Sequence, residues 1–181
     1  MAMGRILVTG VTGQIGHDVA VELIRRGAAV VGATRQEMPL TNAAHCADFV
    51  ERTAPETVIH CAAYTAVDRA EEEAALCHQV NAKATGAIAA ACRRVGAKLI
   101  YLSTDPGDGD APYEVEAATG AQNVYGAAKL AGEEAVRAAL TAYFIVRTSW
   151  VFGGVGRNFI RSMMDLANTH DRLTVVDDQI G

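Results

Sequence analysis

The sequence predicts an α/β fold built on a doubly wound parallel sheet, and three observations indicate it. Short apolar runs alternate with helical stretches along the chain, which is typical of parallel strands joined by crossover helices. A glycine-rich turn at 10–16 follows the first apolar run and precedes the first helical stretch. The 181 residues, half of them hydrophobic, contain no linker and are enough for one domain with a full core. We therefore expect residues 1–181 to form one domain.

The strands and helices are expected from their apolar patterns and from the residues at their ends. Strands are predicted at 5–9, 28–33, 57–62, 98–103, 143–148 and 173–176. Helices are predicted at 14–26, 43–52, 74–95, 127–139 and 158–168. Gly27 and Gly96 are expected to close the first and the third of these helices. Asn123 is expected to cap the fourth helix, which places Tyr125 in its first turn.

The glycine-rich turn predicts a dinucleotide-binding site. Gly10, Gly13 and Gly16 have the spacing G-x-x-G-x-x-G between a strand and a helix. Glycines in such a turn let backbone N–H groups approach a pyrophosphate at the helix N-terminus. Gln14 and Ile15 belong to the same predicted site. A structural turn in some other α/β protein is the alternative.

The end of the second strand bears on the choice of dinucleotide. An acidic side chain there would bond the ribose of NAD, whereas an arginine suits the extra phosphate of NADP. The chain has Thr34-Arg35 at this position and no acid before Glu37. Arg35 therefore favours NADPH, and NADH is the alternative if Glu37 turns inward.

Tyr125 and Lys129 form a candidate catalytic pair. At a spacing of four residues, their side chains leave the same face of the predicted helix. A phenol that protonates a carbonyl oxygen needs a pKa below its ordinary value of about 10, and we expect Lys129 and the helix dipole to lower it. An ordinary surface tyrosine and lysine are the alternative, because Y-x-x-x-K occurs by chance in many proteins.

Several segments together resemble the extended short-chain dehydrogenase/reductase superfamily and, within it, the dTDP-4-dehydrorhamnose reductases. They are 61–68 (C-A-A-Y-T-A-V-D), 103–105 (S-T-D), 123–126 (N-V-Y-G), 147–151 (R-T-S-W-V) and 178–181 (D-Q-I-G). They occur in order along nearly the whole chain, and T-A-V-D and R-T-S-W are much more specific than Y-x-x-x-K. The resemblance implies a Rossmann-type NAD(P)-binding fold and NADPH-dependent reduction of dTDP-4-dehydro-L-rhamnose to dTDP-L-rhamnose.

The resemblance also implies roles for individual residues. Thr104 would donate a hydrogen bond to the sugar ketone, Tyr125 would protonate the ketone oxygen, and Lys129 would bind the nicotinamide ribose. Implied cofactor contacts are Ala62, Ala63 and Tyr64, and implied sugar or nucleotide contacts are Thr65, Val67, Trp150 and Asn158.

Other readings of these segments remain open. For Trp150, the alternative to a sugar contact is an ordinary position in the hydrophobic core. Asp68 with Glu71, Glu72 and Glu73 is expected to be a solvated helix start. His60, on an apolar strand, is expected to be a core residue with its hydrogen bonds satisfied.

Three departures from the family pattern limit the inference. The family usually continues S-T-D with Y-V-F, whereas this chain continues with Pro106-Gly107, so three residues are expected to be missing beside Thr104. The segment 39–42 (P-L-T-N) stands where the family often has an acid that contacts the cofactor, which predicts weaker adenosine binding. The family also continues past the position of Gly181 into a smaller substrate-binding region, so we expect cofactor binding with little turnover if the 181 residues are the whole protein.

Composition restricts the partners and the location. A net charge of −5 gives no electrostatic case for nucleic acid, and no apolar window is long enough to span a membrane. Four widely spaced cysteines form no zinc pattern and are expected to be reduced thiols in a cytoplasm. Asp105, Asp108 and Asp110 lack the spacing of a calcium loop, so no metal site is predicted. The resemblance leaves Mg²⁺ and a homodimer open.

Two further functions are carried as alternatives. A nucleotide-sugar epimerase of the same superfamily would retain its cofactor and consume no NADPH. A non-catalytic regulatory subunit with a reductase-like fold would need none of the residues Thr104, Tyr125 and Lys129.

Overall fold

A computed structural model of the chain describes residues 4–105, 120–156 and 158–175. Five short strands form one sheet in which every neighbouring pair is parallel. The strands are β1 Ile6–Thr9, β2 Val30–Ala33, β3 Thr57–His60, β4 Lys98–Ser103 and β5 Tyr143–Arg147. Leu7, Val58, Leu99 and Tyr101 on the central strands are fully buried, which is typical of strands in the middle of a parallel sheet.

The strand order is β2-β1-β3-β4-β5. The chain moves from β1 to β2 in one direction and then returns past β1 to β3, so the order reverses between β1 and β3. In open α/β sheets a ligand crevice lies at such a reversal, outside the carboxyl ends of the strands. The predicted glycine turn follows β1 and is therefore at this crevice.

The helices connect the strands and cover the sheet. They are α1 Gln14–Arg25, α2 Ala43–Thr53, α3 Val67–Glu72, α4 Ala74–His78, α5 Ala84–Val95, α6 Val124–Ala139 and α7 Phe159–Ala167, with a π-helical turn at Gln79–Lys83 between α4 and α5. Helices α2, α5 and α6 pack side by side, whereas α1 packs on β1 and β2. Right-handed crossovers place α2, α5 and α6 on one face of the sheet and α1 on the other.

The doubly wound fold and most predicted elements are confirmed, with three differences. The third strand ends at His60 and not at Ala62, because the next residues leave the sheet to line the crevice. The predicted helix at 74–95 contains the π-helical turn, and α3 before it was not predicted. The predicted strand at 173–176 is wrong over 173–175, where the backbone is irregular.

Some predictions lie outside the described residues. They are the missing residues after Asp105, the aspartates Asp108 and Asp110, residue 176 and the segment 178–181. Among the residues that are described, no helix combines the length and the apolar character needed to cross a bilayer.

Candidate active site

A cleft of about 1080 Å³ lies at the carboxyl ends of the strands. Fourteen of the sixteen residues predicted as site residues line it, including the five of the glycine turn. They are Gly10, Gly13, Gln14, Ile15, Gly16, Arg35, Ala62, Ala63, Tyr64, Thr65, Thr104, Tyr125, Lys129 and Trp150. Val67 and Asn158 are outside this lining set. The fold therefore brings together residues that follow all five strands.

The glycine turn leaves space only for glycine at two positions. Gly10 has a φ of +70°, and a Cβ there would meet Ala62 Cα at 2.9 Å. A Cβ on Gly16 would lie 2.2 Å from the carbonyl oxygen of Gly10. The backbone of the turn can therefore lie close to Ala62, just after β3, and to the start of α1, whose first residues line the cleft. This arrangement fits the pyrophosphate of a dinucleotide.

At the end of β2, Arg35 lines the cleft and Glu37 does not. The Glu37 carboxylate accepts hydrogen bonds from Thr34 N at 2.9 Å and from the Thr34 hydroxyl at 2.8 Å. These bonds hold the pKa of Glu37 below its ordinary value. Glu37 thus closes a turn on Thr34, and Arg35 is the charged side chain that the strand end presents to the cleft.

A buried polar network lies directly beneath the cleft. The Thr9 hydroxyl accepts hydrogen bonds from the backbone N–H groups of Cys61 and Ala62, each at 3.1 Å, so its own proton points to His60 Nδ1 at 2.8 Å. His60 Nε2 then carries the ring proton and donates to the Thr85 hydroxyl at 3.3 Å. Burial lowers the pKa of His60 to about 3. His60 is a satisfied core residue, as the sequence predicted.

The loop after β3 is held from below by Asn81. The Asn81 side chain accepts a hydrogen bond from Tyr64 N at 2.8 Å and donates one to Tyr64 O at 3.0 Å. Asn81 is buried in the π-helical turn, where the widened helix leaves its side chain pointing at the loop. Sequence reasoning missed both Asn81 and Thr9, because neither carries reactive chemistry. The unusual helical turn itself has no signal in the sequence.

Asn123 caps α6 as predicted, and the helix begins at Val124 and not at Ala127. Asn123 Oδ1 accepts a hydrogen bond from Gly126 N at 2.7 Å, and Glu71 Oε1 accepts one from Val124 N at 2.9 Å. Tyr125 is therefore in the first turn.

Asp68, Glu71 and Glu72 are exposed, as expected for a solvated helix start. Glu73 is half-buried, accepts a hydrogen bond from the Tyr64 hydroxyl at 2.6 Å and is also bonded by Arg69.

Lys129 lies on the floor of the cleft and is 2% exposed. Its Nζ donates to Leu102 O at 2.6 Å and lies 4.2 Å from the centre of the Tyr101 ring. Burial lowers the pKa of Lys129 to about 8, against an opposing effect of the Glu133 carboxylate. The Lys129 amine is therefore still mostly charged at physiological pH, but its titration midpoint lies far closer to that pH than an ordinary lysine's does.

The predicted lowering of the Tyr125 pKa is wrong for this structure. Burial raises the pKa of Tyr125, and the neighbouring Thr104 hydroxyl opposes that rise. Lys129 donates its hydrogen bond to a carbonyl oxygen of the β4 backbone. Burial therefore remains the largest influence on the pKa of Tyr125. The Tyr125 phenol is therefore held protonated.

Sequence comparison places the chain in a known family. The sequence model of the family described as the RmlD substrate binding domain matches residues 4–181. The chain belongs to this family.

Two relatives show how similar the chain is to known proteins in sequence and in structure. The dTDP-4-dehydrorhamnose reductase of Streptomyces griseus is 46% identical over 182 residues, which cover 98% of this chain and 60% of that protein. The crystal structure of dTDP-4-dehydrorhamnose reductase from Bacillus anthracis in complex with NADP has a TM-score of 0.92 and 38% identity, over 98% of this chain and 64% of that one. The chain thus spans about 60% of the length of the relatives it matches. The Rossmann-type fold predicted from the sequence is confirmed.

The outer wall of the cleft in this RmlD-family chain is more exposed than its floor. Trp150 is 54% exposed and has a φ of +53°, in the left-handed region that tryptophan rarely adopts. Val67, at the start of α3, is 40% exposed. Asn158 caps α7 and donates to Gln14 Oε1 at 3.1 Å and to Gly153 O at 3.0 Å. Contacts of Val67 and Asn158 with a sugar nucleotide therefore stay predictions.

The remaining titratable groups give no metal site. Within 4–105, 120–156 and 158–175, no cluster of three or more histidine, cysteine, aspartate or glutamate side chains could hold an ion. All four cysteines are unpaired, and burial raises the pKa of Cys61 to about 12.

Proposed function

We propose that this chain forms the cofactor-binding part of an NADPH-dependent reductase that converts dTDP-4-dehydro-L-rhamnose to dTDP-L-rhamnose. The observation that carries the proposal is that Thr104, Tyr125 and Lys129 line one cleft together with the glycine turn. The names of the similar reductases support the substrate class, and the NADP in the Bacillus anthracis enzyme supports the cofactor.

The chain supplies several groups that fit a dinucleotide. The glycine turn and the first N–H groups of α1 would bind the pyrophosphate. Arg35, at the end of β2, would bind the 2′-phosphate of NADPH, because a planar guanidinium matches phosphate oxygens in pairs. Lys129, on the floor, would bind the nicotinamide ribose.

The reduction needs a hydride and a proton, and the chain supplies the proton. Bound NADPH would supply the hydride to the keto carbon. The Tyr125 hydroxyl would give its proton to the ketone oxygen, so that the carbonyl becomes an alcohol. Burial raises the pKa of Tyr125, so the phenol carries its proton at neutral pH but is a weaker acid than an ordinary tyrosine. The Thr104 hydroxyl would donate a hydrogen bond to the same oxygen and so hold the ketone beside the acid.

The proposal also covers the cellular location of the protein and its oligomeric state. Four unpaired cysteines suit a reducing compartment, so we expect the protein in the cytoplasm. A homodimer is the expected assembly by resemblance to the reductases. Size-exclusion chromatography with light scattering measures the assembly directly.

Cofactor binding is the first test. Titration with NADPH and with NADH should give saturable binding, tighter for NADPH because Arg35 faces the cleft. Subsequent addition of dTDP-4-dehydrorhamnose should oxidise NADPH, at a low rate for a chain that spans about 60% of its relatives. Absence of any dinucleotide binding would overturn the proposal. A cofactor retained without net NADPH consumption would point to an epimerase, and binding without any reaction would point to a regulatory subunit.

The second test is the substitution Tyr125→Phe. It should lower the rate of NADPH oxidation by about 10²–10⁴-fold, because it removes the acid without changing the shape of the cleft. Affinity for NADPH should remain. Tyr143→Phe, on β5 and outside the cleft-lining set, is the matched control and should keep the native rate. Unchanged turnover in Tyr125→Phe would remove Tyr125 from the mechanism.

A further inference from the structure

Arg69 is a cationic side chain of the cleft that the proposed reaction does not use. The described residues that line the cleft include three cations, Arg35, Arg69 and Lys129, and one acid, Glu73. The cleft lining is thus cationic, although the chain as a whole has a net charge of −5. A cleft lined by one sign of charge concentrates ligands of the opposite sign. The proposed cofactor would use Arg35 and Lys129, which leaves Arg69.

Arg69 lies on the opposite side of the glycine turn from Arg35. Arg35 follows β2 and Arg69 lies in α3, which follows β3, and β1 with its glycine turn is between these two strands. Helix α3 also packs against α6, where Glu71 Oε1 accepts a hydrogen bond from Val124 N at 2.9 Å. Arg69 is therefore on the side of the cleft where Tyr125 would meet the ketone.

The Arg69 side chain is held by a series of hydrogen bonds that starts in the core. Asn81 is 1% exposed and bonds both backbone polar groups of Tyr64, at 2.8 Å and 3.0 Å. The Tyr64 hydroxyl donates to Glu73 Oε2 at 2.6 Å. The other carboxylate oxygen, Glu73 Oε1, accepts a hydrogen bond from Arg69 Nη2. Glu73 therefore orients the guanidinium through one of the two Nη atoms.

The other N–H groups of Arg69 remain available to a ligand. A guanidinium has five N–H donors, and the bond to Glu73 is the one that Arg69 makes among the residues that the structure describes. The side chain is 69% exposed, and ion pairs at such exposure contribute little to folding. A planar guanidinium matches two phosphate oxygens at once. The cluster therefore suits recognition of a phosphate better than stabilisation of the fold.

We propose that Arg69 binds the diphosphate of the nucleotide-sugar substrate. This role rests on the proposed function, because a dTDP-sugar would bring a second diphosphate into a cleft whose glycine turn binds the pyrophosphate of the cofactor. The second diphosphate needs a cation on the side of the ketone, and Arg69 is the cationic lining residue there that the cofactor does not use. Glu73 is a positioning residue, since it acts through Arg69.

Calorimetric titration with dTDP tests the site without requiring turnover. The native chain, with and without NADP⁺, should bind dTDP more tightly than thymidine, which has the same base and no phosphate. In Arg69→Gln the affinity for dTDP should fall by about 10–100-fold, because charge-assisted hydrogen bonds to the phosphates are lost. Arg172→Gln removes the same charge from an exposed position outside the cleft-lining set and should keep the native affinity.

A second variant and a second ligand make the result specific. Arg69→Lys keeps the charge without the planar pair of donors, so its affinity for dTDP should lie between those of the native chain and Arg69→Gln. The affinity for NADPH should be the same in all three proteins. A loss of NADPH affinity as large as that for dTDP in Arg69→Gln would assign the guanidinium to the cofactor and overturn the proposal. Equal affinity of the native chain and Arg69→Gln for dTDP would overturn it too, as would the absence of dTDP binding by the native chain.

The two ligands also separate this proposal from the proposed function. Binding of dTDP that depends on Arg69, with no dinucleotide binding by the native chain, would support the diphosphate site and overturn the reductase function. Binding of NADPH by the native chain, with no effect of Arg69→Gln on dTDP, would overturn the role of Arg69 and leave the reductase function standing.

Discussion

The floor of the cleft and its outer wall differ in how firmly their side chains are held. On the floor, Thr9, His60 and Lys129 are at most 2% exposed, and each has its polar atoms bonded. On the wall, Trp150 is 54% exposed and Val151 is 38% exposed. The floor is thus stabilised by burial and by a closed set of hydrogen bonds.

Because of this difference, side chains on the floor and on the wall should contribute to different properties, namely folding and ligand binding. A side chain on the floor contributes to the free energy of unfolding, because its packing and its hydrogen bonds exist without a ligand. A half-exposed side chain on the wall contributes little to folding, so its effect should appear mainly in ligand binding. Substitutions in the two regions should therefore change different measured quantities.

The largest effect is expected from Gly16→Ala at the glycine turn. Its Cβ would lie 2.2 Å from the Gly10 carbonyl oxygen, so the strand-to-helix connection must shift. We expect the free energy of unfolding to fall by about 3 kcal/mol and NADPH binding to be lost. Urea denaturation and calorimetric titration measure the two effects. Gly154→Ala, where a Cβ meets nothing within 4 Å, is the control, and equal behaviour of both variants would contradict the argument.

An intermediate effect is expected from acidification, through His60. Its pKa is about 3 in the folded chain, against 6.5 when unfolded, so the unfolded state takes up a proton that the folded state does not. Its contribution to stability is complete above pH 6.5 and declines as pH falls towards 3. Between pH 6.5 and pH 5 the loss should be about 2 kcal/mol.

Denaturation curves at several pH values measure this loss. His60→Gln should flatten the dependence between pH 6.5 and pH 5, because it removes the titrating ring. His170→Gln, at an exposed position, should preserve it. If the free energy of unfolding of His60→Gln still falls between pH 6.5 and pH 5, other groups cause the acid sensitivity. The contrast between floor and wall would then be weaker.

The smallest effect on stability is expected on the wall, from Trp150→Gly. Glycine adopts a φ of +53° without the Cβ penalty, but it adds conformational entropy to the unfolded chain. The two effects oppose each other, so the free energy of unfolding should change by less than about 1 kcal/mol. Denaturation by urea measures it. A loss of several kcal/mol would mean that the wall is as firmly packed as the floor.

Local patterns in the sequence were sufficient for the elements and for most of the site. The spacing of Gly10, Gly13 and Gly16 predicts the strand–turn–helix unit because the steric limits of such a turn are local. Asn123 predicts the start of α6 because capping joins residues three apart. The strand predicted at 173–176 is wrong over 173–175, since a short apolar run becomes a strand only where a neighbouring strand is available to bond it.

The sequence by itself determined the parallel sheet and the glycine turn, and it predicted the roles of Thr104, Tyr125 and Lys129, which line the cleft, because each follows from short-range spacing or from resemblance. Tertiary structure alone decided the ionisation of these groups. The pKa values of Tyr125 and Lys129 depend on burial, and Glu133 reaches Arg147 only because α6 packs against the end of β5. Desolvation and charge act through space, so residues far apart in the chain set the chemistry of a pair that is only four residues apart.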